Sequence, residues 1–266
     1  FWELYALLGA VAGVLAGLLG VGGGLVIVPA LTYAFEAQNL PAGATHHLAL
    51  GTSLASILFT SVSSVRAHHQ RGAVDWAIVR RIAAGILAGT YAGAWVAAQL
   101  STRTLKVVFA LFLLAVAAQL STGAEPTASR TMPATAGTSG VGLVIGAVSS
   151  LVGIGGGSLS VPFMIWCNVE VRRAIGTSAA IGFPLALAGT VGYIAHGSAA
   201  APIPGAAGYV YLPALAGVAL GSVLTAPLGA RLAHELAPDR VKRIFGLFLL
   251  LTGLRMGWDV LAPLFR

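Results

Sequence analysis

The stretch LLGVGGGLVIVP runs from Leu18 to Pro29, and LVGIGGGSLSVP from Leu151 to Pro162, 133 residues later. Each is an apolar run interrupted by three consecutive glycines and then a proline. A glycine weakens a helix by about 1 kcal/mol relative to alanine. Main chain freed from hydrogen bonds inside hydrocarbon costs several kcal/mol per group. Pro29 and Pro162 each remove one more donor, which frees the carbonyls of Leu25 and Ser158. The apolar stretch from Leu4 to Glu36 would make roughly 50 Å of continuous helix, against a hydrocarbon core of about 30 Å. It therefore reads as two shortened helices meeting in a glycine turn.

Composition places that turn in a membrane. Of 266 residues, 57% are hydrophobic and 9% charged, where a soluble domain carries about 25% charged residues. The mean hydropathy is +0.89. Apolar runs such as LKVVFALFLLAVAAQL and YLPALAGVALGSVLTAPLGA recur throughout, and runs of about 20 such residues span bilayers. The formal charge of +7 is no sign of a nucleic-acid partner. The basic residues sit singly or in pairs at the ends of apolar runs, where they fix topology and meet anionic lipid. Cys167 is the sole cysteine, so no intramolecular disulfide forms. No secretory signal is expected at the start, where the first apolar run begins at once without a basic flank.

The glycine break belongs to a duplication. GTS occurs at residues 51–53 and 176–178, LKVVFALFLL at 105–114 resembles VKRIFGLFLL at 241–250, and Gly85 and Gly93 answer to Gly221 and Gly229. Residues 1–120 form a first transmembrane repeat and 141–266 a second, joined by the polar linker 121–140. Each repeat has a glycine-broken run and three ordinary spans. These are Leu4–Glu36, Thr45–Val65, Ala77–Gln99 and Thr104–Leu120, then Ser139–Trp166, Arg172–Ala195, Tyr209–Ala233 and Arg240–Leu261.

Lysines and arginines orient the two repeats. The connection after the first ordinary span is basic in the first half (Arg66, Arg71, Arg80, Arg81) but carries no lysine or arginine in the second, His196–Gly208. There the charge stands at Arg172 and Arg173 and at Arg231, Arg240, Lys242 and Arg243. Equivalent loops then face opposite sides. With Arg130 this puts 11 of 15 basic residues, and the linker, in the cytoplasm, and leaves Arg103, Lys106, Arg255 and Arg266 outside. Opposite orientation needs an odd number of crossings per half, which a glycine hairpin supplies and one kinked helix does not. The expected fold is an all-α polytopic membrane protein of two inverted-topology repeats. Each repeat is a glycine-broken helical hairpin plus three transmembrane helices.

The glycine series 85, 89, 93 and 217, 221, 229 reads as close helix packing. No dinucleotide fingerprint is formed, since Leu25 and Ser158 stand where its third glycine belongs. The duplicated triple glycines read differently. Helix ends exposed at a polar cavity offer N–H groups and partial positive charge to an anion, and matched broken helices point to a transporter site.

These motifs, with HLALGTSL and HHQRGAVDW (His68 to Trp76), resemble the TauE/SafE sulfite exporter family, also called the toluene-sulfonate uptake permease family. The likeness covers nearly the whole chain. It implies a multi-pass protein of the bacterial inner membrane that exports sulfite or a related sulfur-containing or organic anion. Neither a cofactor nor a metal is expected. Residue by residue it puts Gly22, Gly23, Gly24, Gly155, Gly156 and Gly157 at the anion through main-chain N–H groups, with hydroxyls from Thr52, Ser53, Thr177 and Ser178. Back-bonding to their own helices is the alternative for those hydroxyls.

His47 and Arg172 hold equivalent places four residues before Gly51 and Gly176. Either would guide an anion inward, or simply mark the membrane surface. The pairs His46-His47 and His68-His69 do not converge on one metal ion, because adjacent helical side chains diverge. No acidic residue falls mid-span, so no carboxylate proton relay is expected. Two other functions fit the composition: an anion channel of the same architecture, and an intramembrane enzyme using Ser53 or Ser178.

Overall fold

The computed structural model describes residues 1–20, 22–122, 129–197, 203–235 and 238–262, with the side chains of Leu19, Thr122, 233–235 and 238–242 left out. Linker residues 123–128, Arg266 and the side chains of Arg240 and Lys242 lie outside the described residues. The first half is α1 (Trp2–Leu19), α2 (Gly24–Ala37), α3 (Thr45–His69), α4 (Trp76–Gln99) and α5 (Thr102–Thr122). The second is α6 (Thr135–Val152), α7 (Gly157–Trp166), α8 (Val171–Gly197), a two-stranded turn of β1 (Ala206–Ala207) and β2 (Val210–Tyr211), α9 (Leu212–Glu235) and α10 (Pro238–Leu261).

Seven of these helices are long and apolar enough to cross a membrane, while α1, α2 and α7 are shorter. Leucines and isoleucines such as Leu111, Leu224 and Ile244 stand exposed on the outer faces, a surface stable against lipid and not against water. The chain is an all-α polytopic membrane protein, and its two glycine-broken runs are helical hairpins, α1–α2 and α6–α7.

The breaks have the same backbone cause in both halves. α1 ends on Gly20 at φ 67° and α6 on Gly153 at φ 65°. α2 starts from Gly23 at φ 77° and α7 from Gly156 at φ 78°. A residue with a Cβ pays about 1–2 kcal/mol for that left-handed conformation, so two glycines per turn set where each helix stops and the next starts. Three spans differ by three residues or more from the sequence expectation. α3 continues past Val65 to His69, α6 starts at Thr135, inside the expected linker 121–140, and α9 starts at Leu212 because residues 206–211 are spent in the strand pair.

Packing is reciprocal between the halves. α1 lies along α9 and α4 along α6, α3 crosses both α8 and α9, α4 crosses α8, and α5 pairs with α10. Exchanging α1–α5 for α6–α10 maps each of these contacts onto another of them or onto itself. The α1–α9 and α4–α6 contacts are backbone-close. A methyl group on Gly89 would overlap the carbonyl of Leu143, and one on Gly229 that of Val14, so these glycines serve packing.

α3 and α8 form the central pair, with 72% and 67% of their spans buried. They run antiparallel, since Leu54 lies beside Gly189 and Ser61 beside Gly182. The two hairpins therefore enter from opposite ends of that pair. Gln38 donates to the Tyr5 hydroxyl (2.6 Å) at the mouth of α1–α2. At the other mouth the Trp166 carbonyl accepts from the amides of Ser129 and Arg130 (3.3 and 3.2 Å).

Arg103 and Lys106, which the charge rule leaves on the less basic side, are occupied there. Lys106 pairs with Glu36. Arg103 donates to the Val260 carbonyl at 3.1 Å. Beside them Tyr33 donates to Asp259 (2.9 Å) and Arg255 covers the Tyr33 ring.

Candidate functional site

The tips of the two hairpins meet. A Cβ on Gly22 would lie 2.9 Å from the Cα of Gly155, and one on Gly24 2.8 Å from the Cα of Ile154. Only glycine lets the two turns touch main chain to main chain.

Each half then holds the other's turn. Ser53 on α3 donates to the carbonyl of Gly153 at 2.7 Å, and Ser178 on α8 donates to the carbonyl of Gly20 at 3.0 Å. Those carbonyls are the last residues of α6 and α1 in the left-handed cap, so they have lost their helical partners. The threonines before the serines act as acceptors. The Thr52 hydroxyl oxygen takes the amide of Tyr211, and that of Thr177 the amide of Asp75, both at 2.9 Å. Gly51 and Gly176 make room for these loops, because a methyl on either would overlap the carbonyl of Tyr209 or Ala73. Each residue of the doubled GTS thus has one job, repeated in each half. A third matched pair is less alike: His68 contacts the Gly17 carbonyl through Nε2 (3.1 Å), and Tyr193 donates to the Ser150 carbonyl (2.8 Å).

Where the tips meet lies a cavity of about 10 Å³, bounded by Gly20, Gly22, Gly155 and Ser178 and by Thr60, Ser61 and Ser64 of α3. Such a space holds about one water molecule. Among the described residues no charged side chain borders it. Thr60 donates to the Ser56 carbonyl (3.0 Å) and meets Ser222 (2.6 Å), and Ser61 donates to the Leu58 carbonyl (3.0 Å). Ser64, 2% exposed, has no hydrogen-bond partner for its hydroxyl among the described residues. A buried hydroxyl left unpaired costs about 1–3 kcal/mol, so Ser64 is a donor in waiting. α2 and α7 both begin at this junction, and the first amides of a helix have no partner within it. Their dipoles add partial positive charge there.

The residues singled out from sequence divide into three groups. Gly22, Gly155 and Ser178 border the cavity. Gly23, Gly24, Gly156 and Gly157 start the helices behind it, and Thr52, Ser53 and Thr177 hold turns and loops in place. His47 and Arg172 are not brought to it. His47 is buried in the first turn of α3. Its Nε2 lies 3.2 and 3.1 Å from the carbonyls of Ala97 and Leu100 at the end of α4, and its ring stacks on Tyr209. Arg172 is exposed in the first turn of α8.

Thr60, Ser61 and Ser64 escaped the sequence reading, although TSLASILFTSVSS carried the signal. Hydroxyls three or four residues apart share one helix face. In the repeat, the matching positions are Leu185, Ala186 and Gly189. These three hydroxyls are therefore supplied by the first half only, and the second half contributes Ser178.

Known proteins resemble the chain over nearly its whole length. The family described as sulfite exporter TauE/SafE matches residues 5–256. A protein of Haemophilus influenzae described as a probable membrane transporter is 35% identical over 96% of this chain and 98% of its own. The Bacillus subtilis protein YunE, described likewise, is 29% identical over 96% and 97%. One from Methanocaldococcus jannaschii is 26% identical over 93% and 95%. No solved structure matches the chain.

Proposed function

Because the chain belongs to the sulfite exporter TauE/SafE family and so is a membrane transporter, we propose that it exports sulfite or a related small sulfur oxyanion across the bacterial inner membrane. It works by alternating access between two inverted repeats. One observation carries this reading: two glycine turns, one from each half, touch beside a cavity with an uncommitted Ser64 hydroxyl. Hydroxyls, main-chain amides and helix dipoles give an oxyanion hydrogen-bond donors without a fixed counter-charge. Such a site binds and releases, where a buried arginine would hold.

The cavity takes only a water-sized guest, so this conformation is closed around the site. Admitting an anion of four heavy atoms requires the tips to part. Hairpins that enter from opposite ends of α3 and α8 give the two movable elements that alternation needs. Ser53 and Ser178, the serines that the intramembrane-enzyme alternative would use, donate to carbonyls instead of facing a base.

Sulfite flux into proteoliposomes is expected to saturate with concentration, as a carrier does and a simple pore does not. Ser64→Ala is expected to raise the half-saturating concentration about tenfold or more, since a hydrogen bond to a charged group is worth about 1.5–3 kcal/mol. Protein-dependent flux absent for sulfite and for every sulfur oxyanion in a panel would sink the function. Unchanged affinity in Ser64→Ala would remove this cavity from it.

Orientation is tested separately. Residues 129–134 belong in the cytoplasm. A cysteine at Thr131, exposed in the described part of the linker, is expected to resist membrane-impermeant maleimide in intact cells and to react after lysis. The native Cys167 is replaced by serine for this test. It reacts slowly in any case, because burial pushes its thiol pKa up, against the opposing pull of Arg130. Labelling of intact cells would reverse the assignment.

A further inference from the structure

On the flank of the bundle, turned away from the cavity, α3, α4 and α8 enclose a groove of about 410 Å³. Its walls are apolar: Val62 and Val65 of α3, Val79 of α4, and Ala180, Phe183 and Pro184 of α8. Val62 and Phe183 are 55% and 40% exposed, so the groove opens outward. At one end it meets Arg66 and His69, in the last turn of α3, and Trp76, in the first turn of α4.

The chemistry of that end is fixed by one hydrogen bond. The Trp76 indole donates to Nδ1 of His69 at 3.2 Å. An indole N–H only donates, so His69 Nδ1 accepts and the ring carries its proton on Nε2. Arg66 makes no ion pair among the described residues, and the nearby carboxylate of Asp75 is taken by Arg173 at 3.1 Å. The groove thus ends in a free guanidinium and an imidazole N–H, at the helix ends where tryptophan marks the membrane interface. An apolar slot closed by a cation suits an amphiphile with an anionic head, and basic pockets between membrane helices bind anionic headgroups.

The geometry points to a binding site for one anionic phospholipid. Its phosphate lies between Arg66 and His69, and an acyl chain runs along Val62, Val79 and Phe183. Zwitterionic lipid is disfavoured because its own ammonium group opposes Arg66. A free phosphate ester gains the cation but leaves the slot empty.

The test is thermal unfolding of the full-length protein in neutral detergent, titrated with dioleoylphosphatidylglycerol, dioleoylphosphatidylcholine or glycerol phosphate. Binding to the folded form raises the midpoint. The expected result is a saturable rise with phosphatidylglycerol alone, about tenfold weaker in concentration dependence for Arg66→Gln. Val62→Trp, which fills the slot and keeps the cation, is expected to abolish it. Equal shifts with phosphatidylcholine, a full shift with glycerol phosphate, or an undiminished shift in both variants would overturn the proposal. So would disulfide-linked dimers formed in membranes through Val62→Cys in a Cys167→Ser background, which would make the occupant a second copy of the chain.

Discussion

Gly22→Ala is expected to abolish anion flux in reconstituted vesicles, while Gly156→Ala leaves roughly a tenth of it. Both glycines have φ near 77°, where a Cβ costs about 1–2 kcal/mol. Every transport cycle passes through the closed arrangement, and about 1.4 kcal/mol added to that step slows it tenfold. Strain of this kind is all that Gly156→Ala incurs beyond moving a flexible neighbour, since the nearest obstacle is a methyl of Leu185 at 2.9 Å. At Gly22 the obstacle is the Cα of Gly155 at the same distance. Main chain does not swing aside, so the tips must separate, and the new methyl also fills a cavity of about 10 Å³. The measurement is initial flux by variants that elute as single species and melt within a few degrees of wild type. Wild-type flux from Gly22→Ala would make the touching turns a packing contact and send the anion elsewhere.

Ser178→Ala is expected to lower the melting midpoint more than Ser53→Ala, and the two together more than either. Each removal strands a buried carbonyl, that of Gly20 or Gly153, at a cost of about 1–3 kcal/mol. For a chain of this size that is about 2–4 °C per kcal/mol. Ser178 carries the extra burden because it also accepts from Ser160 at 2.9 Å, so its loss strands a second group. Differential scanning fluorimetry on the purified single and double variants reads the order directly. An unchanged midpoint in both single variants would deny the clasp any part in holding the closed form, and the reverse order would remove the role given to Ser160.

How far these features were legible in the sequence depends on the distance over which each is determined. The glycine breaks are local. Three glycines and a proline forbid a continuous helix whatever surrounds them, and the left-handed angles at Gly20, Gly23, Gly153 and Gly156 appear where the motif stands. The repeat was likewise visible as text. What GTS does was not. Its threonine accepts from a loop 102 or 159 residues away, and its serine donates to a turn 100 or 158 residues away. No spacing rule links such partners. The burial of His47 was not legible for the same reason, because the end of α4 that covers it is about 50 residues distant. The partners of Lys106 and Arg103, Glu36 and the end of α10, were equally out of reach of any spacing rule.

The pairing of α1 with α9 has a consequence for how the chain is made. The glycine face of α1 leaves the ribosome well before its partner, which comes about 200 residues later (Gly9 lies against Val218). At about 5–20 residues per second the wait is roughly 10 to 40 s. During it α1 sits in lipid with a glycine stripe that propensity disfavours and no neighbour to close on. α6, by contrast, meets a finished α4 on arrival. Biosynthesis is therefore lopsided where the finished architecture is balanced. The second half docks onto a waiting first half, and a nascent chain halted before α9 exposes to the insertion and quality-control machinery the bare glycine face of α1, with α5 still waiting for α10.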